Sequence, residues 1–448
     1  MAFEDTGLDT EATAIMTQPG RPPQPMLEVR FKTVVGELSP LKVLSLSIER
    51  RYHDNYGDQL ILEVVMGVGS VQHYLYPQRN RLEVTVIKRY TGQDGGDIGL
   101  NGSTRHYDGF LLDDQSNAIS GDSEGVQSAT QGDIRDIQKV RLQLMDKALG
   151  RVRTTQVGGN YRNVTPGVVV RQLLTQVCQQ LNQDQDNQVY GVDMVAPDNT
   201  TPRQHICIAH GTPLVEVPDL LQSREGGIYS TGLGFYLQDQ IWYLYPEFNL
   251  KRLNTTPKTL TIINVPSRRY TDIERTYRQG VHQTVILATG EVSFTDSSLR
   301  AQTNQGNGTR FTDASQVMNG FGDVQGNRLR VARSRLNNEY TASSNHGRQD
   351  YAPVSRERIA SNSFEQASRL AAQQGGVLTL EWQNSNPDLL YPGQPLQFLY
   401  HDQDNVITLK GILLGNDNYY HDPTQGPVSQ GYLCHSALLI YVDPTPTA

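Results

Sequence analysis

From residue 81 to 90 the chain reads RLEVTVIKRY, and in Leu82-Glu83-Val84-Thr85-Val86 the apolar residues take every second position while Glu83 and Thr85 point the other way. A period of two belongs to a strand with one face on a core and one face in water. Strand-like runs surround it: LEVRF, VLSLSIERRY, DQLILEVVM and VQHYLY precede it, with Gly- and Asn-containing turns between them. Tyr107 to Leu112 is a short ordered run, and KVRLQLM repeats the alternation, with Val140, Leu142 and Leu144 against Arg141 and Gln143. Closing such a meander into a barrel would remove its edges, and KVRLQLM is expected to complete that first barrel.

The rest of the composition agrees with a loop-rich β protein. Of 448 residues, 37% are hydrophobic and 19% charged, so Gly, Asn, Gln, Ser and Thr make up much of the remainder. A chain of this length is expected to divide into two to four domains. A net charge of −8 argues against a protein that grips nucleic acid by neutralising phosphates, although a wall that DNA slides past stays compatible with it. No apolar run of about 18 residues occurs, so no membrane span is expected. The stretch MAFEDTGLDTEATAIMTQPGRPPQP lacks the basic and apolar regions of a secretory signal and reads as a disordered or draped arm. Cys178, Cys207 and Cys434 have no partner at CxxC spacing and are expected to be buried free thiols in a reducing cytoplasm.

Beyond the first barrel, Thr165-Pro166 is a helix start, followed at helical spacing by Val170, Leu173, Leu174, Val177, Cys178 and Leu181. A strand QHICIAH leads to a second start at Thr212-Pro213, with Leu214, Val217 and Leu221 as its stripe. GLGFYLQDQIWYLYPEF reads as a hairpin turning at Gln238-Asp239-Gln240, and Phe235, Trp242, Tyr243 and Tyr245 are expected in its core. These elements form a small α/β insertion. Strands LTIINV and TVILATGEVSF follow, then a third helix from Ser363 with Gln366 in capping-box position, Phe364, Ala367, Leu370 and Ala371 as its face and Gly375-Gly376 at its end. VLTLEW, a type II turn at Tyr391-Pro392-Gly393-Gln394, PLQFLY, VITLKGILL and LCHSALLIYV complete a second small barrel.

Candidate chemistry is sparse. GDSEG at Gly121 to Gly125 matches the nucleophile-elbow pattern around Ser123, but it lies in a polar stretch without the strand-to-helix turn that motif requires. His401-Asp402 and His421-Asp422 invite a metal reading, yet each pair sits beside a turn signal and lacks further ligands at familiar spacing. No phosphate-binding loop, dinucleotide fingerprint or HExxH occurs, and the carboxylates form no recognisable sugar-cleft pair. No catalytic residue, cofactor or metal is expected. Tyr229, Tyr236 and Trp242 leave open an adhesin whose aromatic face stacks on sugars.

The C-terminal third resembles the trimeric baseplate hub proteins of contractile-tailed phages, which are related to the hub portion of secretion-system spikes. The residues that carry the resemblance are Glu274, Arg275 and Tyr277 in Ile273-Glu274-Arg275-Thr276-Tyr277, leading into HQTVILATGEVSF, then Ser363 to Trp382, and Pro392-Gly393 within PDLLYPGQPLQFLY, followed by VITLKGILLGNDNYYH. The resemblance implies a mainly β (α+β) chain with two tail-tube-like β-barrels, so that three copies make a pseudo-sixfold ring between tail tube and spike. Trp382 would pack just before the Pro392-Gly393 turn, and all six residues would be structural. The expected layout is an arm at 1–26, a first barrel at 27–155 with a long loop at 91–132, the α/β insertion at 156–260, a second barrel at 261–443 with a polar excursion at 297–350, and a tail at 444–448. The two excursions are long for a minimal hub and would touch wedge proteins or neighbouring copies. Implied partners are two further copies, the tail tube protein, the central spike, baseplate wedge proteins and DNA in passage, with the protein in the virion tail after assembly in the host cytoplasm. A tail-tube initiator and a tail-associated cell-wall hydrolase are the competing readings.

Overall fold

The computed structural model describes residues 7–18, 22–79, 82–91, 102–112, 137–182, 188–255, 258–266, 274–290, 375–402, 405–424 and 431–443, with short pieces between 309 and 372. Strands dominate. The first unit is built from β1 (Gln24–Thr33), β2 (Gly36–Leu38), β3 (Lys42–Arg51), β4 (Gln59–Met66), β5 (Leu82–Thr91), β6 (Ser103–Leu111) and β7 (Gln138–Asp146). All pairs are antiparallel, in the spatial order β3-β4-β7-β6-β5-β1-β2. The alternation read in the sequence sets which side chains enter: Leu82, Val84 and Val86 share one core with Phe31, Leu46, Leu62 and Leu142. Each such side chain contributes about 1.5–3 kcal/mol on leaving water, which holds the meander around its own interior.

The insertion comprises α2 (Lys147–Thr154), β8 (Gln156–Val164), α3 (Pro166–Leu181), β9 (Gly191–Met194), β10 (Arg203–Pro213), α4 (Val217–Ser223), β11 (Leu233–Gln238) and β12 (Ile241–Pro246). Strands β8 and β10 form a two-stranded ribbon, and β9 runs parallel to β12 in a three-stranded sheet with β11. Its core is separate, with Val170, Leu174, Ile206, Leu221 and Leu244 around Phe235 and Trp242, whose rings stack at 4.5 Å and 2°. The β11–β12 turn falls at Asp239 and Gln240, both with positive φ, the geometry that keeps a two-residue hairpin in step with strand twist.

The second unit contains β13 (Thr259–Asn264), β14 (Tyr277–Gln279) and β15 (Gln283–Ala288). After the short β16 (Thr309–Phe311), β17 (Val324–Gln325), β18 (Arg328–Leu329), β19 (Val331–Arg333) and β20 (Tyr340–Ala342) it resumes with β21 (Gly376–Trp382), β22 (Pro395–Asp402), β23 (Asn405–His421) and β24 (Leu433–Val442). Strand β13 lies parallel to both β15 and β22, and the ladder continues β22-β23-β24-β21. One bridge, Thr289 to Glu381, links the end of β15 back to β21 through bonds of 2.9 and 2.7 Å. Leu260, Ile286, Leu380, Trp382, Phe398 and Leu438 fill the enclosed core.

One strand joins the two units. The first part of the 17-residue β23 pairs with β22, and its last seven residues, Gly415 to His421, pair with β3. The transfer occurs at a bulge between Leu413 and Gly415, where a Cβ on Gly415 would lie 2.6 Å from the Arg50 carbonyl. Glycine allows two backbones that close to meet there. The mainly β expectation therefore holds, but the expected two barrels are not closed by strand pairing among the described residues, and the two cores hang on one continuous sheet.

Several expectations are corrected, among them the long loop at 91–132, of which Ser103–Leu111 forms β6 between β5 and β7. VQHYLY is helical, a wide turn at Val71–Leu75 followed by a tight one at Tyr76–Gln78, because Leu75 turns into the core while Tyr74 and Tyr76 stay outside. The arm contains a helix, α1 (Gly7–Met16), that buries Leu8, Ala12 and Ile15 against Ile263, Val285 and Leu287 on the outer face of β13 and β15. Thr165 sits at the cap position of α3 without using its hydroxyl, and Thr212-Pro213 ends β10, with α4 starting at Val217. Cys207 is exposed, since it alternates with buried Ile206 and Ile208, while Cys178 and Cys434 are buried. Of the third helix, residues 364, 367, 368, 371 and 372 are helical, and Ser363 lies outside the described residues. The same is true of GDSEG.

Candidate functional site

Along the inward faces of the first unit, the apolar runs end in charges, all at one end. Arg50 continues the phase of Leu46 and Ile48, Lys88 that of Val84 and Val86, and Asp146 that of Leu142 and Leu144. Asp58 precedes Leu60 in phase at the start of β4, and Arg105 does the same for Tyr107 on β6. Because neighbouring strands alternate in direction, the ends of β3, β5 and β7 and the starts of β4 and β6 coincide. These groups and Asp239 from the insertion hairpin line a cavity of about 70 Å³.

An uncompensated charge there would be costly, and the charges are paired. Arg50 is 5% exposed and its Nε donates to Asp58 Oδ2 at 3.1 Å, while the Tyr236 hydroxyl donates to Asp58 Oδ1 at 3.0 Å. Burial pushes the Asp58 carboxyl above its ordinary range, with Arg50 opposing it. Arg105 reaches Asp239 at 2.9 Å, so the hairpin tip is tied to the mouth of the unit. Lys88 holds Asp388 of the second unit at 2.5 Å, and Tyr90 donates to the same carboxylate. Burial alone would raise Asp388, but the charge and hydrogen bond of Lys88 outweigh it and hold the carboxyl below the ordinary value. Just beyond β3, His53 bonds to Glu247, which lifts the imidazole to about 9.

A buried polar chain extends this seam into the second unit. The Tyr52 hydroxyl lies 3.0 Å from Gln238 Oε1 and 2.8 Å from Asn416 Oδ1, and its ring meets Tyr236 edge-on at 4.8 Å. Asn416 donates to Asn418 at 3.2 Å, Ser436 donates to the same Asn418 oxygen at 2.6 Å, and Ser385 lies 2.7 Å from Ser436. Such a network fixes one arrangement of three packed parts because each member loses its partner if they shift.

The opposite end of the first unit has a different character. Val34, Val35, Leu41, Val68, Tyr74, Tyr76 and Ile137, seven of the thirteen most exposed large apolar side chains among the described residues, all lie in the turns and strand starts of that end. Val34 is 89% exposed and Val35 77%. Together they make an exposed apolar cluster on an otherwise polar chain.

The six residues singled out by resemblance divide into two places. Tyr277 and Trp382 meet edge-on at 5.9 Å, and Trp382 Nε1 donates at 2.9 Å to Thr276, whose hydroxyl donates to the Gln383 carbonyl at 2.7 Å. Glu274 is exposed and Arg275 half-buried in the approach to this strand. Pro392 and Gly393 lie elsewhere, in a turn closed by Gln394 N–H on the Tyr391 carbonyl at 3.3 Å, with Gly393 at φ 64° against the ring of Tyr245. The two His-Asp pairs do not converge: His401 lies 3.9 Å from Asp9, while Asp422 pairs with Lys42 at 2.9 Å and His421 stacks on His435 at 4.9 Å. No group of three potential metal ligands occurs among the described residues. Tyr229, Tyr236 and Trp242 are buried, which removes the sugar-stacking face. The seam residues Arg50, Lys88 and Asp146 were not singled out from the sequence, although each continues the phase of an apolar strand face, a signal that an inward charge is present.

No protein-family model matches the chain, and no curated protein matches it in sequence. Solved structures do resemble it. A tail protein of Neisseria meningitidis MC58 matches with a TM-score of 0.44 at 12% identity, and a 43 kDa tail protein of prophage MuSo2 from Shewanella oneidensis with 0.44 at 13%; each match covers 92% of this chain and 96% of the other. A type VI secretion component of E. coli, itself described as similar to T4 bacteriophage tail proteins, matches with 0.40 at 9%, over 94% of this chain and 77% of that one. The solved structures that resemble it therefore include two tail proteins and a type VI secretion component.

Proposed function

We propose that the chain is a non-catalytic baseplate hub of a phage tail, a homotrimer whose ring joins the tail tube to the central spike and leaves a channel through which DNA passes without specific binding. The observation that carries this reading is the sharing of β23 between two strand-built cores. In this reading each core takes the place of one tube-like barrel, and two such units in one chain are what three copies need to present six similar positions to a tube and three to a spike. Contacts between the first barrel of one copy and the second of the next are heterologous and close by rotation. In this reading the layout is the arm at 1–26, barrels at 27–155 and 261–443, the insertion between them and the tail at 444–448, and Glu274, Arg275, Tyr277, Trp382, Pro392 and Gly393 are structural.

The exposed apolar end of the first unit is the surface such a ring offers to a neighbouring ring, and wedge proteins hold its outside. The assembled place is the virion tail, reached after folding in the host cytoplasm. Light scattering with negative-stain imaging of the purified protein, alone and co-expressed with its spike, tests this. A trimer with a central hole and a pseudo-sixfold outline is expected. A hexamer would replace the hub by a tube initiator, and a persistent monomer that clears peptidoglycan would replace it by a cell-wall hydrolase.

A further inference from the structure

The β8–β10 ribbon is a two-stranded sheet that stands apart from the large sheet among the described residues. Both strands are long, nine and eleven residues, yet each pairs only with the other among the described residues. One face of the ribbon is anchored: Ile206 and Ile208 are buried in the insertion core, with Val157, Tyr161 and Val164 packed beside them. Apart from the bond from Leu214 N–H to the Thr155 carbonyl at the ribbon's end, no main-chain bond to a third strand occurs among the described residues. An anchored ribbon with an open edge is a template for one more strand, because every second residue there directs its N–H and C=O outward.

The chemistry of the ribbon specifies the added strand. Neither 156–164 nor 203–213 contains an Asp or Glu, whereas Arg162, Arg203, His205 and His210 are all exposed. His205 and Arg162 are direct cross-strand partners, and Cys207 faces Asn160 beside them. In a chain of net charge −8, none of the twenty ribbon positions, nine on β8 and eleven on β10, is a carboxylate. A second ribbon from another copy would set like charges together, so self-pairing is opposed. We propose that the outer edge of β10, the more exposed of the two strands, receives an extended acidic segment of a partner protein by strand addition. Main-chain bonds then hold the segment, and its carboxylates lie over Arg162, Arg203 and His205. Duplex DNA fits less well, since a few cations on a narrow ribbon neutralise few phosphates and leave the open edge unused. The proposal does not depend on the ring, because one copy carries the whole ribbon.

The test uses the full chain and two fluorescent nine-residue peptides, one alternating Val with Glu and the other Val with Lys. The Glu peptide is expected to bind about tenfold more tightly than the Lys peptide, with the preference shrinking at high salt. N-methylation of alternate amides along one edge of the Glu peptide should lower its affinity at least about tenfold. The double variant Arg162→Glu, Arg203→Glu, checked for an unchanged circular dichroism spectrum and melting temperature, should reverse the preference between the two peptides. Equal binding of both peptides, or indifference to N-methylation, would overturn the proposal. Competition by a DNA duplex at equal strength would also overturn it, in favour of a nucleic-acid surface. Loss of ring formation with intact peptide preference would count against the hub reading alone.

Discussion

The two ends of the first β unit are made from the same antiparallel strands and could hardly differ more. At one end Arg50, Asp58, Lys88, Arg105 and Asp146 point inward around a small cavity, and each of the first four is tied to a partner on another strand, the insertion or the second unit. At the other end Val34, Val35, Leu41 and Val68 point outward with nothing described over them. The difference teaches that the first end has its permanent contact within the chain, where buried charge pairs need fixed geometry. In the proposed hub, the second is the surface that a separate molecule covers, because apolar contact tolerates assembly from outside.

The largest test of the comparison is Arg50→Met, which leaves Asp58 buried without its cation and should cost about 3–5 kcal/mol in urea unfolding. The double variant Arg50→Met, Asp58→Leu should recover most of that loss, since no orphan charge remains. A single-variant loss below about 1 kcal/mol would mean that the end is wet and open rather than sealed. Next in size is Gly393→Ala, at φ 64° with its Cβ 2.1 Å from the Tyr245 ring. It should lower stability by about 2 kcal/mol or more, extending the sealed region to the second unit.

A smaller and pH-dependent effect is expected at His53. Its folded value of about 9 lies above the ordinary 6.5, so the folded state holds the proton more tightly. The contribution of the His53–Glu247 contact is therefore complete below pH 6.5 and is lost as pH rises toward 9. Melting temperature should decline across that window in the native chain, modestly because the His53 side chain is 58% exposed. Glu247→Gln should flatten the slope; an unchanged slope would remove this contact from the seam.

The smallest stability effect belongs to the open end. Val34→Asp and Val68→Asp should each change the unfolding free energy by no more than about 0.5 kcal/mol, while ring stacking or tube attachment in negative-stain images is lost. A large loss of stability would show that these side chains close a core rather than offer a surface.

The sequence by itself determined the strands, their inward faces and several turns. Period-two alternation in Leu82 to Val86 and Val140 to Leu144 is a local property that any sheet would honour, and the Pro392-Gly393 turn follows from backbone chemistry at two residues. The phase of Arg50, Lys88 and Asp146 was equally present, but a charge at the end of a strand becomes meaningful only when its partner is known. Tertiary structure alone decided that Arg50 meets Asp58 and Tyr236 meets Asp58, that Lys88 meets Asp388 three hundred residues away, and that VQHYLY bends into helical turns over the core. It also decided that β23 leaves one ladder for another at Gly415. Pairing across such separations depends on which surfaces remain uncovered after each unit has folded, and no local pattern in the chain carries that information.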